Sequence, residues 1–205
     1  YAVLVAVAVS IVWSQYDSTS YMVDREATAL NDVVRISKAF PAPTNLRISD
    51  LAERYTADVV QREWPAMALG KSSPTARELN EQLWSVVTSI KPADAGEQVA
   101  YGMLMSRLVD FSDARRKRLF DSTASIQPLL WVVLIAGGVT TLAFTFFFGL
   151  KNHLAQLMMT AMCVVTVALM LWLINDMDGP FSGNISIPSD SFQALAESLQ
   201  RLRSR

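Results

Sequence analysis

Two charged residues sit where the sequence pattern asks for apolar ones. Glu26 lies between Met22 and Leu30 at four-residue spacing, with Val33 beyond, and Arg115 lies between Phe111 and Leu119 in the same way. On a helix those steps return to one face. A carboxylate and a guanidinium are each costly to bury alone and tolerable as a bidentate pair. The spacing therefore predicts a structural ion pair between Glu26 and Arg115, with a solvated face or an ion-binding or gating role as the alternatives.

A second group carries hydroxyls. Ser10 and Ser14 share one helical face with Asp17, and Thr140, Thr141 and Thr145 form a polar strip in an otherwise apolar run beside the ring cluster Phe146, Phe147 and Phe148. Such a strip could line a pore, with Phe147 in a dewetting constriction, or hydrogen-bond a neighbouring helix alongside Gly137 and Gly138. Other chemistry is not offered. There is no phosphate-cradling glycine loop, no Cys/His constellation and no nucleophile beside a base, so neither catalysis, a metal nor a cofactor is expected. Cys163 is the single cysteine and is read as packing, and His153, the single histidine, as a solvated turn residue. A net charge of −1 gives no electrostatic footprint for nucleic acid.

The elements that must position these residues belong to a lipid bilayer. Apolar residues make up 51% of the chain, and the excess is local. Residues 129–150 and 154–174 contain no acidic, basic or histidine side chain, and each matches the roughly 20 residues needed to cross the hydrocarbon core. Residues 1–13 are too short alone and are read as the second half of a span that starts before Tyr1. A signal peptide is disfavoured, since neither a basic n-region nor a small-residue cleavage site flanks the run. Trp13, Trp131 and Trp172 mark the ends of the three runs, as indoles do at a membrane boundary. An up, down, up path puts all three at one face, with Phe144 and the 146–148 cluster about 26 Å away at the other. Residues 151–153 are then a tight external turn.

Residues 14–128 and 176–205 share the remaining side. The run Arg115, Arg116, Lys117, Arg118 against a single Lys151 favours the cytoplasm, hence a multi-pass protein of the cell inner membrane. The Asn184-Ile185-Ser186 glycosylation pattern has no meaning there. The expected division is a partial span over 1–13, a cytoplasmic helical bundle over 14–128, spans over 129–150 and 154–175, and a turn with an amphipathic helix over 176–205.

Within the bundle everything reads as helix. Residues 16–39 continue the first span until Phe40-Pro41-Ala42-Pro43 breaks it. Thr44 is expected to cap a helix bearing Ile48, Leu51, Tyr55 and Val59, which Trp64-Pro65 ends or kinks. Ser73-Pro74 starts another, with Thr75 and Glu78 spaced as a capping box and Leu79, Leu83, Val86 and Ile90 on one face. Asp94 with Glu97 opens a fourth, carrying Tyr101, Leu104, Leu108, Phe111 and Leu119 almost to Pro128. On this reading Glu26 and Arg115 each lie about 20 Å beyond the bilayer boundary. After the last span, Asp178, Pro180, Phe181 and Gly183 read as a docking motif: a sharp stop, an apolar anchor and a second turn. Asp190 with Gln193 is expected to cap the final helix, whose Phe192, Leu195, Leu199 and Leu202 strap it across the stalk or onto a neighbouring subunit. The fold class is all-α: an integral membrane protein of at least three transmembrane helices continuing into a cytoplasmic bundle.

Five stretches, in order, resemble a bacterial family of unknown function described as bestrophin-like: DREATALNDVVR at 24–35, REWPAMALG at 62–70, RRKRLFDS at 115–122, PLLWVVLIAGG at 128–138 and DMDGPFSGNISIPSDSF at 176–192. The resemblance covers essentially the whole chain and implies one further N-terminal span. Bestrophins proper are pentameric anion channels with a helical cytosolic domain, so it further implies a homo-oligomer in the lipid bilayer that conducts inorganic anions, with the helix bearing Ser10 and Ser14 as pore lining. Their Pro-Phe-Gly is followed by acids that bind calcium. Here Pro180-Phe181 is followed by residues 182–186 without an acid, too few oxygens for that ion. The alternative is a non-conducting scaffold, or an accessory subunit of a larger membrane complex.

Overall fold

A computed structural model describes residues 1–147 and 153–203 of the 205. The chain is all-α, with no strand among the described residues. Its helices are α1 (Ala2–Ser37), α2 (Ala42–Asp58), a π turn (Val59–Glu63), α3 (Trp64–Met67), α4 (Pro74–Thr88), α5 (Ala95–Thr123), α6 (Pro128–Thr145), α7 (His153–Met177) and α8 (Asp190–Arg203). Helices α1, α6 and α7 are long and apolar enough to cross a membrane.

Two compact units divide the chain. The first holds residues 1–17 and 124–186, and the second residues 18–123 and 187–205. In the first, Val5, Ala8 and Val12 of α1 cluster with Ile126, Leu134, Ile174 and Met177, and Trp131 packs against the same cluster. The end of α1's apolar stretch, the start of α6 and the end of α7 therefore meet. Glycines let α6 approach closely: a Cβ on Gly137 would lie 2.9 Å from the Tyr1 ring, and one on Gly138 3.1 Å from Val167. Outside the cluster, Val132, Val139, Met162, Val165 and Leu169 point outward. That surface suits hydrocarbon rather than water.

The second unit is built round an apolar core. Leu30, Val33 and Val34 of α1, Ile48, Leu51, Tyr55 and Val59, Leu79 and Leu83 of α4, and Leu104, Leu108 and Phe111 of α5 are all buried. Helix α8 adds Phe192, Leu195 and Leu199, packing along α2 within this same chain.

Local chemistry explains the boundaries and corrects several. Helix α2 begins at Ala42 with Pro41 as N-cap, so Thr44 lies inside the first turn and caps nothing. Prolines are tolerated there because first-turn amides have no intrahelical acceptor. Pro65 does not end its helix. It lacks the amide that would donate four residues back, and the chain passes it through the widened π turn at Val59–Glu63. Helix α3 then closes at Gly70, whose φ is +66°, with Lys71 N donating to Ala66 O and Gly70 N to Met67 O. Ser73, rather than a box of Thr75 and Glu78, caps α4 by accepting from Ala76 N at 3.3 Å. At α5 the reciprocal arrangement does form: Glu97 N donates to Asp94 at 2.8 Å, and Ala93 N donates to the Glu97 carboxylate at 2.7 Å. Helix α5 stops at Thr123, short of Pro128.

Helix α6 ends at Thr145, and residues 148–150 of the expected span, Phe148 among them, lie outside the described residues, as do Lys151 and Asn152 of the expected external turn. His153 is the first residue of α7, not a turn residue, and α7 runs on to Met177. Gln193 reaches back to the Ser189 hydroxyl at 3.0 Å rather than to Asp190.

Candidate functional site

Five helical segments of the second unit converge on one buried cluster of charge. Helix α1 supplies Glu26, α2 Tyr55, the π turn Glu63 and α5 both Arg115 and Arg118. Glu26, Tyr55, Glu63 and Arg118 are completely buried and Arg115 is 5% exposed. Helix α8 closes the cluster from one side.

The expected pairing of Glu26 with Arg115 is replaced by a different one. Arg118 donates to Glu26 through Nε at 2.6 Å and Nη2 at 2.9 Å. Arg115 forms a fork with Glu63, with both bonds at 2.8 Å. Arg118 Nη2 also reaches Glu63 Oε1 at 2.8 Å, joining the two pairs. Glu26 and Arg115 meet only through Tyr55, whose hydroxyl accepts from Arg115 Nη1 at 2.6 Å and donates to Glu26. The physical reason is register: one helical turn further along α5, Arg118 faces Glu26, leaving Arg115 opposite the π turn.

The cluster is electrically closed, with two guanidinium groups answering two carboxylates. Burial works against the Glu63 charge, but Arg118 and Arg115 outweigh it and hold this carboxyl below the usual range. Burial and the Glu26 carboxylate push the Tyr55 hydroxyl well above its ordinary value, against the opposing pull of the two arginines. Burial also disfavours both guanidinium charges. For Arg115 it is outweighed by Tyr55 and Glu63, and for Arg118 by Glu26, so both are raised. An aromatic shell completes the enclosure: the Arg118 guanidinium lies 5.6 Å from the Trp64 ring centre and 5.5 Å from that of Phe192, and its Nη1 lies 2.9 Å from Met67 Sδ. Every Arg118 nitrogen that can donate is engaged. Such a cluster clamps helices and offers no open position to an ion.

Glu63 and Arg118 were not expected, yet the sequence carries a signal for each. Leu51, Tyr55, Val59 and Glu63 advance in fours, a stripe that the Trp64-Pro65 break conceals. Leu104, Leu108, Phe111, Arg115 and Arg118 alternate steps of four and three, so the next inward residue is Arg118, and Leu119 is only half-buried. The basic run is thereby split. Only Arg116 and Lys117 reach the surface, where Lys117 bonds Asp121 at 2.6 Å.

The segment after α7 is organised by an acid that the sequence reading passed over. Asp176 is buried and accepts from Asn184 N, Asn184 Nδ2 and Ile185 N, each at 3.1 Å. Gly183 has φ +83°, and a Cβ there would stand 2.9 Å from Asp176 Oδ1. Asp178 accepts from Ile126 N at 2.6 Å, tying the end of α7 to the lead-in of α6. Pro180 and Phe181 are buried.

Of the candidate pore residues, Ser10 and Ser14 are exposed on one face of α1, and Asp17 follows on the same face. The threonines differ. Thr140 donates to Ala136 O and Thr141 to Gly137 O at 2.8 Å, and Thr145 to Leu142 O at 2.7 Å, so their protons are spent within their own helix. Phe147 lies just past the end of α6, 84% exposed, with its ring 6.3 Å from that of Phe144. Trp13 and Trp172 are exposed, and Trp131 is half-buried in the membrane cluster.

No curated protein and no solved structure shows significant similarity to the chain. One family does match, described as a bestrophin-like domain, and its match runs over residues 1–192. Taken with three apolar helices and an all-helical fold, this span of nearly the whole sequence places the chain in the bestrophin-like domain family.

Proposed function

We propose that the chain forms a homo-oligomeric channel of the cell inner membrane that passes inorganic anions, with α1 facing the conduction path and the second unit in the cytoplasm. The observation that carries this reading is the exposed polar face of α1. Ser10, Ser14 and Asp17 stand exposed on one side of a helix whose first residues, Ala2 to Trp13, are apolar apart from Ser10. Hydroxyls and a carboxylate facing lipid are unfavourable, so this face is better served by water or by a second copy of the chain. Serine hydroxyls donate to anions as they pass, whereas the α6 threonines bond carbonyls of their own helix. Asp17, at the end of this face, opposes anion entry and tunes it.

Chloride flux into liposomes carrying the purified full chain tests the proposal. Flux above that of empty vesicles supports it, and flux equal to theirs ends it.

The second reading is a non-conducting scaffold or accessory subunit of a larger complex. It draws on apolar side chains left exposed along α5 in the second unit, Val99, Met103, Val109 and Phe120. A cyclic homo-oligomer with an axial opening favours the channel, and a single copy among other subunits favours the accessory role.

A further inference from the structure

A cleft of about 490 Å³ opens beside the first helix, between Ile11 and Gln15 of α1, the segment Ser125–Gln127, and Leu129, Leu130 and Val133 of α6. Its polar groups gather at one end, where Ile126 and Leu129 stand beside them. Gln15, Ser125 and Gln127 bring amides and a hydroxyl to one end. Ile11, Leu130 and Val133 make the other end apolar. Along α1 the change from Ile11 to Gln15 takes one turn, about 6 Å. Along α6 it follows the chain in the opposite direction, from Gln127 at the N-cap to Val133 inside the helix.

Both helices are apolar enough to cross a membrane, and Trp13 falls between Ile11 and Gln15 and Trp131 between Leu130 and Val133, at the level where indoles meet the water boundary. An amphiphile in a bilayer has the same order of chemistry at that depth: hydrocarbon below, ester carbonyls and glycerol oxygens above. Amides and a hydroxyl can donate to those oxygens. No side chain lining the cleft is charged, so nothing there reads the headgroup's charge. The volume is within the range of small-molecule sites.

We propose that this cleft holds one glycerolipid of the surrounding bilayer, with its ester and glycerol oxygens at Gln15, Ser125 and Gln127 and its upper acyl chain against Ile11, Leu130 and Val133. The inference requires that α1 and α6 lie in the membrane, and it is independent of whether the protein conducts.

The test is photolabelling of the full chain, reconstituted in phosphatidylcholine vesicles, with a phosphatidylcholine bearing a diazirine on its upper acyl chain. Ile11 and Val133 should label several-fold more than Val132 and Val139, which are at least as exposed on the same apolar surface. Equal labelling of all four would overturn the site, because ordinary boundary lipid labels them alike. Replacing Val133, which is 39% exposed and outside the core, by Trp should fill the cleft and abolish the excess at Ile11. If the excess survives, the lipid is elsewhere. Should that variant fail to fold, Ser125→Leu and Gln127→Leu together remove polar partners at exposed positions, and undiminished labelling at Ile11 would count equally against the assignment. Vesicles of phosphatidylglycerol should give the same pattern, and a marked preference for that anionic lipid would overturn the neutral glycerol-level contact.

Discussion

The Tyr55 hydroxyl stands between Glu26 and Arg115, accepting a hydrogen bond from the guanidinium and donating its own to the carboxylate. Two charges on α1 and α5 are thereby linked by a neutral group on α2. Tyr55→Phe keeps the ring that packs edge-on to Phe111, 5.0 Å between centres, and deletes only the bridge. It should destabilise the full chain by about 1–3 kcal/mol, read as a lowered denaturation midpoint in detergent.

Arg118 is the group on which both acids depend. Arg118→Met leaves Glu26 buried with Tyr55 alone, and should cost about 3–5 kcal/mol. Glu26→Met made together with Arg118→Met should recover most of that loss, since Glu63 and Arg115 still form their fork. Equal harm from the single and double variants would mean that the charges are not dry.

The cluster should also set the pH range of stability. Glu63 is lowered in the folded chain, so its contribution is complete at neutral pH and is lost as pH falls from about 4.3 through the lower folded value. Tyr55 is raised, so its contribution is complete below about pH 10 and is lost as pH climbs beyond. Thermal denaturation across pH checks both, and Tyr55→Phe should remove the alkaline decline while leaving the acid one.

Gly183→Ala should loosen the turn after α7 for two separate reasons, its positive φ and the crowding of Asp176. A loss of about 1–2 kcal/mol is expected. Asp176→Ala should do comparable harm by leaving the Asn184 and Ile185 amides without their acceptor, and faster proteolysis around residues 184–189 would report both.

If α1 faces the conduction path, Asp17→Asn should raise chloride flux in liposomes, because a carboxylate near the path repels anions. Unchanged flux in a conducting protein would move the path away from this face.

Much of the fold was legible because hydrophobic period and length are strong signals. The three apolar helices, the breaks at Pro41 and Ser73, and the inward stripe of α2 follow from them directly. The cluster's partners were legible only in part. Glu26 and Arg115 stood out by sitting between apolar neighbours, but Glu63 hid beside the Trp64-Pro65 break, and Arg118 hid within a basic run that reads as surface charge. Choosing between Arg115 and Arg118 requires knowing which turn of α5 faces α1, a tertiary fact that no local spacing contains. Asp176 was concealed for another reason: its partners are backbone amides, which no side-chain pattern announces.

The ring of Phe192 that covers Arg118 belongs to α8, which follows α1, α6 and α7 along the chain. Undocking of α8 alone would strip that cover from the guanidinium, so the sealing of the charged interior hangs on the final helix.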